Sequence, residues 1–196
     1  MTVSSVATAA LLPTGGLTLG WAMTRCRIHR LHREIRALRK QASDSVTSGP
    51  TRAAWESVAC ARLAAPESTV VLIADLDGFK AINDEHGHLA GDVVLQTVAE
   101  RLTATFANDD GEVCRLGGDE FGVIATDSSA AENLTALAET LTAPVPLPTG
   151  ERVSVGVSVG CYRAAYDEAP SLRHALEVAD EQMLGVKRRR HDAVRG

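Results

Sequence analysis

The apolar positions change period several times after Arg52, and each change marks an element. Residues 53–65 have helical spacing. Val70-Val71-Leu72-Ile73-Ala74 is a continuous apolar run, which predicts a central strand buried on both faces. Residues 89–106 read as a long amphipathic helix with Leu89, Val93, Val94, Val98 and Leu102 on its inner side. Two short strands, 113–116 and 121–125, flank Gly-Gly-Asp-Glu and predict a hairpin. Residues 130–141 are predicted helical, 153–159 alternate Val with Ser and Gly as a strand does, and 172–186 form the last helix. Helices and strands interleaved in this way predict an α+β domain, a central sheet with helices packed against it.

Ahead of this domain the pattern differs. Residues 1–24 carry no charge, and 7–23 are mostly Ala, Leu, Gly and Thr, long enough for a membrane anchor of about 20 apolar residues. Pro13, Gly15, Gly16 and Gly20 interrupt the run, so a leader without fixed structure and a cleaved signal peptide are the alternatives. Arg25, Arg27, Arg30 and Arg33 supply the basic flank of a cytoplasmic boundary, which puts the N-terminus outside the cell membrane and the domain in the cytoplasm. Within 25–42, Ile28, Leu31, Ile35 and Leu38 are spaced 3, 4 and 3. They make one stripe of a basic amphipathic connector helix, suited to pairing with a second copy or to lying on acidic lipid. Residues 43–50 are rich in Ser, Thr, Gly and Asp and read as a linker or domain edge. The domain then spans 43–192, with 193–196 as a tail.

Composition narrows the function. The net charge of -5 is uneven, because 25–40 holds seven Lys and Arg against Glu34 alone, leaving 13 basic and 24 acidic residues elsewhere. Such an acidic body argues against a nucleic-acid groove, which needs a basic face. It suits a site that holds divalent cations between carboxylates. Cys26, Cys60, Cys114 and Cys161 form no C-x-x-C pair, so neither a zinc knuckle nor a disulfide framework is indicated.

Two acidic elements stand out. Asp75 closes the buried strand, followed by Leu76 and Asp77; a carboxylate there is costly unless it meets a cation or donors. Asp119 and Glu120 sit at the hairpin tip after Gly117 and Gly118, where the backbone is open to a phosphate chain. Taken alone, the first is equally an N-cap and the second equally a plain acidic turn. Carboxylates from two strands converging on one edge can hold metal ions and assist phosphoryl transfer. Lys80 and Lys187 are candidate partners for a triphosphate. His86-x-His88 lacks the third and fourth ligands of a zinc site.

The stretch Asp75-Leu-Asp-Gly-Phe-Lys-Ala-Ile-Asn-Asp-Glu-His-Gly-His-Leu-Ala-Gly-Asp92, followed by Arg-Leu-Gly-Gly-Asp-Glu-Phe121, resembles the GGDEF family of diguanylate cyclases. Residues 179–187 are similar to that family's closing A-D-x-A-L-Y-x-A-K. The resemblance implies a palm-like fold, a ferredoxin-like core with a central antiparallel sheet. It implies condensation of two GTP to cyclic di-GMP with release of two pyrophosphates across a homodimer, using two Mg²⁺ per site, or Mn²⁺. Position by position, it makes Asp75, the Leu76 carbonyl and Asp119 metal ligands, and Asp119, Glu120 and Lys80 catalytic. Asn83, Asp92, His88, Phe79, Gly117, Gly118 and Lys187 become substrate-binding. An amide and a carboxylate together satisfy guanine's O6, N1 and N2, groups that adenine would leave unpaired. A catalytically silent domain that senses GTP, and another purine nucleotide cyclase on a palm-like fold, are the rival readings.

The chain departs from the family in three places. Asp44-Ser-Val-Thr-Ser-Gly-Pro-Thr-Arg52 keeps only part of D-x-L-T-G-L-x-N-R. Asn108-Asp-Asp-Gly111 stands where many members carry the product-binding R-x-x-D, which implies weak feedback by product. Arg190-His191-Asp192 replaces G-R-N, which leaves Arg188, Arg189 or Arg190 to substitute for the missing phosphate contact.

Overall fold

The apolar run forms the middle of the sheet. In the computed structural model, which describes residues 43–126, 131–166 and 168–195, strand β1 spans Thr69–Asp77 and is buried along nearly its whole length. It therefore continues two residues past Asp75, where the sequence pattern had ended it. The predicted membrane segment 1–24 and connector 25–42 lie outside the described residues, within which no helix is long and apolar enough to cross a membrane.

In chain order the elements are helix α1 (Arg52–Leu63), β1, α2 (Phe79–His86), α3 (His88–Thr105), β2 (Glu112–Gly117), β3 (Glu120–Thr126), α4 (Leu134–Thr142), β4 (Val145–Pro146), β5 (Arg152–Val153), β6 (Gly156–Ala164) and α5 (Leu172–Arg195). The main sheet runs β2-β3-β1-β6 with every neighbouring pair antiparallel. This is the β-α-β-β-α-β ferredoxin-like order, with the β4-β5 hairpin inserted before the last strand. The expected α+β fold is what the chain adopts.

Alternation along the strands assigns the faces. Leu72, Ala74, Leu76, Phe121, Val123 and Ala125 pack with α2, α3 and α4. Val71, Ile73 and Ile124 point the other way, toward α1 and α5, among Trp55, Leu63, Ala175, Ala179 and Met183. Helices thus cover both faces of β1, which is why its sequence is apolar without alternation.

Other details also differ from the sequence pattern. Leu89, expected inside, is 84% exposed, because the inner face of α3 runs through Ala90, Val94, Leu95, Val98 and Leu102, and Leu89 lies off that stripe. The predicted strand 153–159 is split between β5 and β6. Helix α4 starts at Leu134, where Asn133 caps it by accepting from the Ala136 N–H at 3.0 Å. Residues 43–50, expected as a linker or domain edge, form a closed loop. There the Asp44 carboxylate accepts from the Val46 and Thr47 N–H groups and the Thr47 hydroxyl. Gln96 of α3 also donates to the Val46 carbonyl at 3.0 Å.

Candidate active site

Period-two alternation puts Asp75 and Asp77 on the sheet face toward α5, in step with Val71 and Ile73. In register, Asp75 stands opposite Glu120 on one side and Ser158 on the other. Glu120 follows a two-residue turn, Gly118-Asp119, because Gly117 pairs with Glu120. Gly118 has φ +57 and Asp119 does not, the arrangement of a II′ hairpin, and β2 is bulged between Arg115 and Gly117. Arg115 fastens this turn by donating to the Gly118 carbonyl at 2.8 Å, and lies 3.9 Å from Asp44 of the ordered loop. The Leu76 N–H donates to the Asp119 carbonyl at 3.2 Å, which ties the turn to β1.

The structure therefore brings Asp75, Leu76, Asp119 and Glu120 together. Burial raises the pKa of Glu120, and the charges of Asp75, Asp119 and Asp180 add to that, with Arg52 opposing. Lys187, from α5, donates to Asp75 and sits 3.8 Å from Asp77. Burial pulls its pKa down, yet the bond to Asp75 and the charges of Asp75, Asp77 and Asp119 prevail and hold it above the ordinary lysine value.

A second cluster lies on the helices covering the opposite face. Phe79 is buried, Asn83 and Asp92 are half-buried, and Gly91 presses against the Asn83 side chain. A Cβ on Gly91 would come within 2.0 Å of Asn83 Oδ1 and 3.1 Å of the Phe79 ring, so any side chain there would displace the Asn83 amide. Lys80 and His88 are exposed and form no ion pair among the described residues. His86 Nδ1 lies 3.6 Å from the Glu151 carboxylate.

Among the described residues no three His, Cys, Asp or Glu side chains converge as a metal cage. The expected set is two carboxylates and a carbonyl, all hard oxygen donors suited to a divalent cation. The crowding of acids that raises Glu120 is the electrostatic condition such a cation relieves.

The family model described as diguanylate cyclase, GGDEF domain, matches residues 41–193. The chain belongs to the GGDEF family of diguanylate cyclases. A 19.3 kDa uncharacterized protein of Streptomyces ambofaciens is 37% identical over 183 residues, covering 92% of each chain. Diguanylate cyclase TpbB of Pseudomonas aeruginosa is 35% identical over 174 residues, which cover 81% of this chain and 40% of TpbB. The solved GGDEF domain of that protein matches with a TM-score of 0.66 at 33% identity, covering 75% of this chain and 89% of the solved one.

Within this GGDEF domain, sequence reasoning gave no role to Gly91, Asp180, Ser158 or Asp77. Asp77 alone left a usable signal: it is two residues after Asp75, hence on the same face of the strand. Arg190, a candidate phosphate ligand by sequence, donates to Asp77 at 3.3 Å and to the Val157 carbonyl at 2.5 Å.

Proposed function

We propose that the chain is an active diguanylate cyclase that joins two GTP molecules into cyclic di-GMP. The observation that carries this reading is the register that sets Asp75 opposite Glu120 at the sheet edge, with the Asp119 turn bonded to Leu76 and Lys187 donating to Asp75. Two copies face each other, each holding one GTP. The ribose 3′-hydroxyl of one attacks the α-phosphate of the other; the new P–O bond forms as the bond to the β-phosphate breaks, and pyrophosphate leaves. Two such transfers close the ring. Asp119 or Glu120 accepts the hydroxyl proton.

Asp75, the Leu76 carbonyl and Asp119 would hold Mg²⁺ or Mn²⁺, which supplies positive charge to the phosphates and acidity to the hydroxyl. Lys187 and Lys80 stabilise charge on the phosphate oxygens. Lys80 is exposed and unpaired by any acid among the described residues, so it is available to a polyanion. Asn83 and Asp92 read the guanine edge, with Gly91 and Phe79 fixing the amide. In this reading residues 43–192 are the catalytic domain.

Incubating the purified chain with GTP or ATP and Mg²⁺ and identifying the products tests the reading. Cyclic di-GMP from GTP alone is expected, and Asp119→Ala should abolish it while leaving thermal unfolding cooperative. GTP binding without turnover would favour the silent sensor, and a cyclic product from ATP would favour another purine cyclase.

A further inference from the structure

Asp77 lies on the same face of β1 as Asp75, and the reaction above leaves it without a task. It is nevertheless tightly constrained. Ser158, fully buried on β6, donates its hydroxyl to both carboxylate oxygens, at 3.0 and 2.8 Å. Gly156 stands opposite Asp77 in the β1–β6 register, and a Cβ there would lie 2.9 Å from the Asp77 Cβ and 3.3 Å from Oδ2. From the other side, Arg190 of α5 donates to Oδ2 at 3.3 Å, and the Lys187 ammonium lies 3.8 Å from Oδ1. Lys187 and Arg190 are three residues apart on one helix face, so a single carboxylate engages both.

We propose that Asp77 is a positioning residue for the phosphate-binding lysine, holding the C-terminal part of α5 so that Lys187 is presented to the triphosphate. The proposal rests on the cyclase reading above. Both Asp77 oxygens already accept from Ser158, and one also accepts from Arg190. Asp77 is therefore committed to β6 and α5, whereas Asp75 is bonded only to a mobile type of side chain, a lysine. When Asp75 engages a cation, Lys187 loses its nearest partner. Asp77 is then the fixed counter-charge that keeps the ammonium at the edge of the site instead of releasing it to solvent. The Arg190 bond to the Val157 carbonyl anchors the same turn of helix to the sheet.

The test compares Asp77→Asn with the unaltered chain, using two probes in Mg²⁺. One is α,β-methylene GTP, which cannot release pyrophosphate; the other is guanosine, which has no phosphates and is followed by NMR titration. Asp77→Asn should weaken the triphosphate analogue roughly tenfold, a loss of about 1.4 kcal/mol, and leave guanosine unchanged. In a Lys187→Met background the same substitution should change neither affinity, because the residue it positions is gone. Ser158→Ala, which frees Asp77 from β6 without altering charge, should reproduce part of the analogue-specific loss. Equal loss for both probes would mean that Asp77 merely supports the fold, and additivity with Lys187→Met would mean that it acts elsewhere; either overturns the proposal. Unaltered protein binding the analogue, with Asp77→Asn binding it equally well, overturns the proposal alone. Unaltered protein binding neither probe refutes the cyclase reading and the proposal with it.

Discussion

Replacing Lys187 with Met isolates the electrostatic cost of the carboxylate edge. Asp75 has a side chain only 11% exposed and receives a hydrogen bond from an ammonium that is 44% exposed. A hydrogen bond to a charged group contributes about 1.5–3 kcal/mol. The half-exposed lysine is screened by water, which reduces this to about 1–2 kcal/mol. For a domain of this size that corresponds to a loss of roughly 2–8 °C in Tm. The assay is thermal unfolding of the whole chain in chelator, so that no divalent ion substitutes for the ammonium. Asp75→Asn combined with Lys187→Met should recover most of the loss, since the uncompensated charge is removed with its partner. The sign of the pH dependence follows from the raised lysine pKa. The contribution is fully present below the unfolded lysine value of about 10.4 and is lost as pH rises through the higher folded value. The gap between the two proteins should therefore close as pH rises into strong alkali. Lys187→Met unfolding within about 1 °C of the unaltered chain at neutral pH, or a double variant no better than the single one, would refute the reasoning.

Glu120→Gln should raise stability at neutral pH in chelator while abolishing turnover. A carboxylate with a raised folded pKa favours folding below its unfolded value and loses that contribution as pH rises through the folded one, so the advantage of Gln should vanish on acidification. Urea unfolding at pH 7 and near pH 4 decides it, and equal stability at both would count against the acid cluster. Gly91→Ala should push Asn83 aside and raise KM for GTP roughly tenfold to a hundredfold, the loss of one or two hydrogen bonds, with a smaller effect on kcat. An unchanged KM would remove Asn83 from the guanine site. Cyclic di-GMP should inhibit only weakly, because Asn108 and Gly111 stand where many members carry the Arg and Asp of R-x-x-D. Potent inhibition relieved by substitutions at Asn108 to Gly111 would contradict this.

Much of the fold was legible wherever burial imposes a period. The 70–74 run could only be a strand covered on both faces, and the hairpin around Gly117-Gly118 followed from its flanking apolar pairs. What stayed hidden has partners distant in the chain or elements too short to show a period. Helix α2 has eight residues set between Gly78 and Gly87, both at positive φ, and its pattern is lost between those breaks. Helix α5 runs nine residues past the expected end at 186, through Lys187 to Arg190, a stretch that reads as a solvated basic tail. It is joined to the sheet through polar bonds, which leave no apolar stripe to read. Asp77 was invisible as an anchor for the same reason: Ser158 lies 81 residues away in sequence and Arg190 lies 113.

The arrangement of the site is, at bottom, a consequence of strand register. Asp75 pairs with Glu120 and Ser158 and faces α5 only because β1 is held at one pairing offset on both sides. A slip of one residue would turn Asp75 and Asp77 into the cluster of Leu72, Leu76, Phe121 and Val157. That alternative buries charged groups in an apolar interior, at a cost of several kcal/mol for each ion. The acids therefore do more than equip the edge for chemistry: they help to exclude the wrong register. The covering helices divide the proposed contacts: Lys187 comes from α5 on that face, whereas Lys80 and the residues assigned to guanine come from α2 and α3 on the other.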